Sequence, residues 1–153
     1  MPVKVGESAP DFTLMSHSGV PVRLNDFRGK KSVVLYFYPK DDTPGCTTQS
    51  CTFRDRYEVF QAAGAEVIGV SGDSPESHQQ FATKYQLPFC LLSDPGNKVR
   101  QLYGATAAFG LLPGRVTYVI DEQGVVQYIF NSMFNSKGHV EEALKTLQQL
   151  QSA

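Results

Sequence analysis

Residues Ser32 to Tyr38 form an unbroken run, Val33-Val34-Leu35-Tyr36-Phe37-Tyr38 after a serine, with no charge and no turn former until Pro39. A half-solvated strand alternates polar and apolar residues, and this run does not, so it reads as a strand covered on both faces. It is the candidate central strand of a layered α/β chain. The chain has 153 residues, of which 41% are hydrophobic and 19% charged. That is the range of one packed domain spanning residues 1–153.

The remaining elements arrange themselves around this strand. Asp11 to Leu14 and Val20 to Leu24 are short β-like runs separated by Ser16-His17-Ser18-Gly19, an opening hairpin. Beyond Pro39 and Thr43-Pro44-Gly45, Phe53, Tyr57 and Phe60 recur at helical spacing, with Gly64 as the stop. Glu66 to Ser71 predicts a second strand. Asp73-Ser74-Pro75-Glu76 supplies caps and a first-turn proline for a helix running to about Tyr85. Asp94-Pro95-Gly96-Asn97 introduces a short helix with Val99, Leu102 and Tyr103, closed by Gly104. Val116 to Ile120 and Val125 to Phe130 predict a second hairpin, and Val140, Ala143, Leu144, Leu147 and Leu150 a final helix. After the first hairpin the order is β-α-β-α, a short helix, β-β-α, the order of a thioredoxin-like fold with a mixed central sheet flanked by helices and an extra N-terminal β-hairpin. Ligands in such sheets gather beyond the carboxyl ends of the parallel strands, where Pro39 to Cys46 lies.

Charge excludes several partners. Fourteen Lys and Arg against fifteen Asp and Glu give a net charge of −1, with no basic block of the kind that nucleic acid or an anionic membrane requires. The apolar runs are much shorter than the roughly 20 residues that span a bilayer. The opening residues have neither a secretory apolar stretch nor the Arg-rich character of a transit peptide. The expectation is a cytosolic location, from the start at Met1, with a mature plastid protein lacking its transit peptide as the alternative.

Three cysteines, Cys46, Cys51 and Cys90, are too few and too odd in number for a disulfide scaffold. Cys46 falls in the first turn of a predicted helix, where unpaired N–H groups and the dipole favour a thiolate, the nucleophilic form. Cys51 is five residues on. In an intact helix the two Cα atoms are more than about 8 Å apart, beyond the roughly 6.8 Å limit of a disulfide. A bond between them therefore requires the first turns to unwind. Cys51 reads equally well as a small helical residue. His17, His78 and His139 are scattered, which speaks against a metal centre, and the two-residue cysteine spacing of a thioredoxin-type reductase is absent.

Taken together, Pro39-Lys40-Asp41-Asp42-Thr43-Pro44-Gly45-Cys46 resembles the active-site signature of peroxiredoxins. Tyr36 through Asp55, with Cys46-Thr47-Thr48-Gln49-Ser50-Cys51 at its centre, is similar to the peroxiredoxin Q branch, also called bacterioferritin comigratory protein. The likeness extends from Gly6-Glu7-Ser8-Ala9-Pro10-Asp11-Phe12 to Gly114-Arg115-Val116-Thr117-Tyr118-Val119-Ile120-Asp121. The resemblance implies that Cys46 is the peroxidatic cysteine, Cys51 the resolving one, Thr43 the hydroxyl that orients peroxide and thiolate, Arg115 the guanidinium that stabilises them, and Pro39 a shield for the pocket. It further implies reduction of hydrogen peroxide and organic hydroperoxides through a Cys46 sulfenic acid and a Cys46–Cys51 disulfide, recycled by thioredoxin, with glutaredoxin as another donor. No metal, haem or flavin is called for, and the branch suggests a monomer. Cys90 stands where relatives often carry proline and reads as a buried bystander. Phe109, Leu111 and Met133 are candidates for the pocket wall or for core. A protein-disulfide exchanger and a non-catalytic redox sensor are the rival readings.

Overall fold

The computed structural model describes residues 2–107 and 112–152. Its frame is a seven-stranded mixed sheet in the order β2-β1-β5-β4-β3-β8-β9. The strands are β1 (Thr13–Ser16), β2 (Pro21–Arg23), β3 (Ser32–Phe37), β4 (Ala65–Ser71), β5 (Cys90–Ser93), β8 (Val116–Ile120) and β9 (Val126–Asn131). Two further short strands, β6 (Thr106–Ala107) and β7 (Leu112–Pro113), pair with each other apart from the sheet. β3 runs parallel to β4 and antiparallel to β8, which makes the sheet mixed. The helices are α1 (Pro44–Asp55), α2 (Tyr57–Ala62), α3 (Pro75–Tyr85), α4 (Lys98–Tyr103) and α5 (Ser136–Ser152).

The apolar run of β3 behaves as its composition demands. All six of its residues are buried, and they divide by parity. Val34 and Tyr36, with Tyr38 just beyond, face Phe53, Phe60, Phe81, Val140 and Leu144 from α1, α2, α3 and α5. Val33, Leu35 and Phe37 face Phe12, Leu24, Val99 and Tyr103. The sheet is thus covered unequally: four helices share one face, while α4 and the N-terminal segment cover the other. Each fully buried Phe or Leu adds about 1.5–3 kcal/mol of hydrophobic stabilisation.

Several expectations need correcting. The opening hairpin is present but shifted, at Thr13–Ser16 and Pro21–Arg23, because Leu24 instead begins a 3-10 turn. β5 has no counterpart in the expected order, yet it joins the hairpin to β4. With it in place β4, not β3, is the middle strand. The helix expected to run unbroken to Gly64 is two, since Arg56 leaves the helical region at φ −108, ψ 7. The short helix with Val99, Leu102 and Tyr103 is present as α4, with Val99 and Tyr103 buried and Leu102 exposed.

Candidate active site

β3 delivers the chain to Tyr38 and Pro39, and the loop that follows ends at the start of α1. Thr43 is the N-cap residue, Pro44 takes the first helical position, and Cys46 lies in the first turn with 1% of its surface exposed. No acidic residue occupies that turn, so the partial positive charge of the helix start is uncompensated beside the sulfur. Helix propensity contributes little here. Thr47, Thr48, Ser50, Cys51 and Thr52 are all weak helix formers, and Thr48 and Thr52 turn their hydroxyls back onto the carbonyls of Pro44 and Thr48. α1 is held by packing: Phe53 is fully buried and stacks 4.6 Å from Tyr36.

Arg115 enters this site from the start of β8. It is buried, and its partners are neutral: Nε donates to the Met133 carbonyl at 2.9 Å and Nη1 to Gln49 Oε1 at 2.6 Å. No carboxylate pairs with it among the described residues, so its charge remains available to a ligand. Its Nη2 passes so close to Gly45 that a Cβ there would lie 2.9 Å away. Arg115 and the helix start therefore converge on the same point. Ser136, the first residue of α5, donates to the Gly45 carbonyl at 2.8 Å and closes the arrangement from the other side.

Thr43 and Pro39 are half-buried in the same loop. The Thr43 hydroxyl does not cap the helix; it donates to the Lys40 carbonyl at 2.9 Å. Its proton is committed, which leaves its lone pairs able to accept from a ligand. Cys51 is also half-buried and lies on the same unbroken helix as Cys46, so the two are not brought together. Burial pushes the Cys51 thiol up, against a smaller opposing effect of Arg54. Cys90, on β5, is half-buried with its thiol likewise raised by burial. Met133 contributes a carbonyl rather than an apolar wall. Phe109 and Leu111 lie outside the described residues.

Four functional contributors were not apparent from sequence. Gln49 is fully buried, holds Arg115 through Oε1, and leaves Nε2 without a partner. Its one legible sign was its position three residues after Cys46, on the same helix face. Asp41 and His78 form a buried pair at 2.7 Å beneath the loop. Asp41 also accepts from Tyr38 at 2.5 Å and from Ser77 at 2.8 Å, and its backbone N–H donates to Asp73. The ligand-type atoms of Asp41, Asp73 and His78 lie within 4.8 Å of one another. They are already committed, with His78 set between Asp41 and the Leu92 carbonyl and Asp73 accepting from Ser71. His139 is fully buried, with Nδ1 at 2.8 Å from the Thr117 hydroxyl and Nε2 at 2.6 Å from the Ser132 carbonyl. Burial lowers its pKa to about 4. It braces the segment whose next carbonyl, that of Met133, holds Arg115. Arg54, on α1, also donates to the Tyr85 carbonyl at the end of α3.

Comparison with known proteins places this geometry. Residues 5–129 match the AhpC/TSA family. Peroxiredoxin Q, chloroplastic, of Sedum lineare is 58% identical over 97% of this chain and 80% of its own length. The structure of peroxidoxin BcpB from Mycobacterium tuberculosis superposes with a TM-score of 0.89 at 35% identity, covering 96% of this chain and 97% of that one. The bacterioferritin comigratory protein of Xanthomonas campestris, whose structures concern alkyl peroxide reduction, gives 0.83 at 30% identity over 91% of each chain. These relatives correct the cytosolic expectation, which rested on the start at Met1: the curated relatives at 56–58% identity are chloroplastic proteins. With the likeness running through the fold, the cysteine loop and nearly the whole sequence, the chain belongs to the AhpC/TSA family as a peroxiredoxin of the Q type, a thiol-dependent peroxidase that acts on peroxides with thioredoxin-type reductants.

Proposed function

We propose that Cys46 is the peroxidatic nucleophile and Cys51 its resolving partner, within one domain of residues 1–153 that acts as a monomer and reduces both hydrogen peroxide and organic hydroperoxides. The observation that carries the reading is the burial of Cys46 at an uncompensated helix start, beside a guanidinium that no carboxylate neutralises. The helix start and the guanidinium both place positive potential at the sulfur, where the negative charge of a nucleophile would sit. The thiolate sulfur attacks the nearer peroxide oxygen, the O–O bond breaks, and the departing oxygen leaves as water or alcohol after taking up a proton. Arg115 faces the charge that develops on the oxygens, a stabilisation preset by Gln49 and Met133. Thr43 accepts from the peroxide O–H and aligns it with the sulfur, while Pro39 limits the entry of water.

Cys46 is left as a sulfenic acid. The first turns of α1 unwind, the Cys51 sulfur attacks the Cys46 sulfur, and water is released as the disulfide forms. An external dithiol then takes the oxidising equivalents by exchange; thioredoxin is the donor the family likeness favours, with glutaredoxin as the second. Organic substrates are supported by the alkyl peroxide activity of the Xanthomonas campestris relative. The monomer and the single domain rest on the same likeness, and the domain also on the continuous sheet.

The test is thioredoxin-coupled peroxide consumption by wild type, Cys46→Ser and Cys51→Ser, with thiols counted after one equivalent of peroxide. Wild type should turn over and lose two thiols per chain. Cys46→Ser should be inactive, and Cys51→Ser should stop at the sulfenic acid. Activity in Cys46→Ser refutes the assignment of the nucleophile.

A further inference from the structure

Arg100, on α4, is the largest fully buried side chain, with 1% of its surface exposed. Its guanidinium ends on neutral acceptors only. Nη2 donates to the Tyr38 carbonyl at 2.5 Å, Nη1 to those of Gly114 at 2.6 Å and Ala105 at 3.0 Å, and Nε to Asn97 Oδ1 at 3.2 Å. Asp94, the nearby acid, uses its two carboxylate oxygens on the backbone N–H groups of Val99 and Arg100. Arg100 makes no salt bridge among the described residues. A buried cation without a paired anion is costly, and packing alone could be supplied by an apolar side chain of similar length.

The positions of the carbonyls suggest what offsets that cost. Tyr38 immediately precedes Pro39, and Gly114 immediately precedes Arg115. One planar, fixed-charge group thus joins the two strand ends that carry the peroxidatic loop and its arginine. Its charge also reaches the sulfur: burial lowers the pKa of Arg100, while Asp94 first and Cys46 next act in the opposite direction. Arg100 and a Cys46 thiolate therefore stabilise each other.

We propose that Arg100 is a positioning residue of the peroxidatic site, which sets the spacing of the Pro39 and Arg115 segments and gives the Cys46 pocket a second fixed positive charge. The inference rests on Cys46 being the nucleophile. Arg100→Met keeps length and removes charge, and Arg100→Lys keeps charge but loses the planar fork. The readouts are the pH dependence of Cys46 alkylation, resolved by mass spectrometry, and the single-turnover rate with hydrogen peroxide. In Arg100→Met the alkylation profile should move up by about one pH unit, an approximately tenfold loss of thiolate on its acid side. In Arg100→Lys the profile should stay within about 0.3 unit of wild type, while the plateau rate with peroxide falls about tenfold, the loss of one charged hydrogen bond.

A folded Arg100→Met protein with a wild-type alkylation profile overturns the proposal, because a purely structural residue lowers the melting temperature without moving the thiol. If Arg100→Met does not fold, Arg100→Lys decides: a plateau within about twofold of wild type, less than one charged hydrogen bond is worth, overturns it. Cys46→Ser separates the two levels. If that variant still consumes peroxide, the nucleophile is misassigned; if it is inactive and Arg100→Met titrates as wild type, only the role of Arg100 fails.

Discussion

Replacing Thr48 and Thr52 by alanine should slow disulfide formation without slowing attack on peroxide. Both threonines lie on the outer face of α1, where their hydroxyls bond back to Pro44 and Thr48 and touch neither Arg115 nor Gln49. Cys46 and Cys51 belong to one intact helix, so their Cα atoms are about 8.7 Å apart by helix geometry, and the disulfide needs about 6.8 Å or less. Each Thr→Ala change favours the helix by roughly 0.6 kcal/mol. If unwinding stops at Cys51, only Thr48 counts and the disulfide should form about threefold more slowly; if it extends through Thr52, the factor is about eightfold. Rapid quenching with an alkylating reagent, followed by mass spectrometry, separates loss of the Cys46 thiol from appearance of the disulfide. The slower variant should also accumulate more sulfinic acid at high peroxide, since the sulfenic acid survives longer. Disulfide formation as fast as in wild type, with α1 shown to be more helical, refutes the requirement for unwinding.

Other consequences are open to direct measurement. His139 has its pKa lowered to about 4 in the fold against an ordinary 6.5, so between those values the unfolded chain binds the extra proton. The stabilisation is complete above pH 6.5 and is lost as pH falls toward 4, by about 3 kcal/mol in all. Urea unfolding across this window should show the loss, and His139→Asn should flatten it; equal slopes in both proteins contradict the reading. Gly45→Ala puts a Cβ 2.9 Å from Arg115 Nη2. The guanidinium is anchored on two other sides, so kcat/KM for peroxide should fall about tenfold, the loss of one charged hydrogen bond, with little change in melting temperature. Phe53→Ala removes the fully buried ring between Tyr36, Phe60 and Phe89 and should cost about 3–5 kcal/mol in denaturant unfolding.

What could be read from sequence followed the strength of each physical signal. The β3 run was legible because seven buried residues in succession leave no other reading. The start of α3 was legible because Pro75 sits where a helix tolerates proline, whereas Thr43-Pro44-Gly45 showed only as a break ahead of the helix that carries Cys46. β5 was missed because Cys90-Leu91-Leu92-Ser93 is four residues long, shows no alternation, and abuts Asp94-Pro95. The break at Arg56 has no proline or glycine to mark it. At the site, the Cys46 motif was visible as a contiguous stretch. Gln49, Asp41, His78 and Arg100 were not, since a polar residue paired in the interior looks in sequence like any solvated one. Thr43 stands at the N-cap, but which way its hydroxyl turns depends on Lys40 and on no pattern in the chain.

The loop before α1 and the body of the helix are fastened at two places, and this bears on the tempo of the catalytic cycle. Asp41 is bound to α3 through Ser77 and His78, and Asp42, in a left-handed turn at φ 56, is bound there through Lys84 and Tyr85. Beyond Cys51, Phe53 and Arg54 hold the chain again. The segment free to melt is therefore short and clamped at both ends. In the proposed cycle, once a Cys46–Cys51 disulfide is reduced, the segment would have only about two turns to rewind against a waiting surface, a process on the order of a microsecond or less. Recovery of the reactive thiolate should then be limited by the encounter with the reductant and by thiol exchange, and the helix should be ready before the next peroxide arrives.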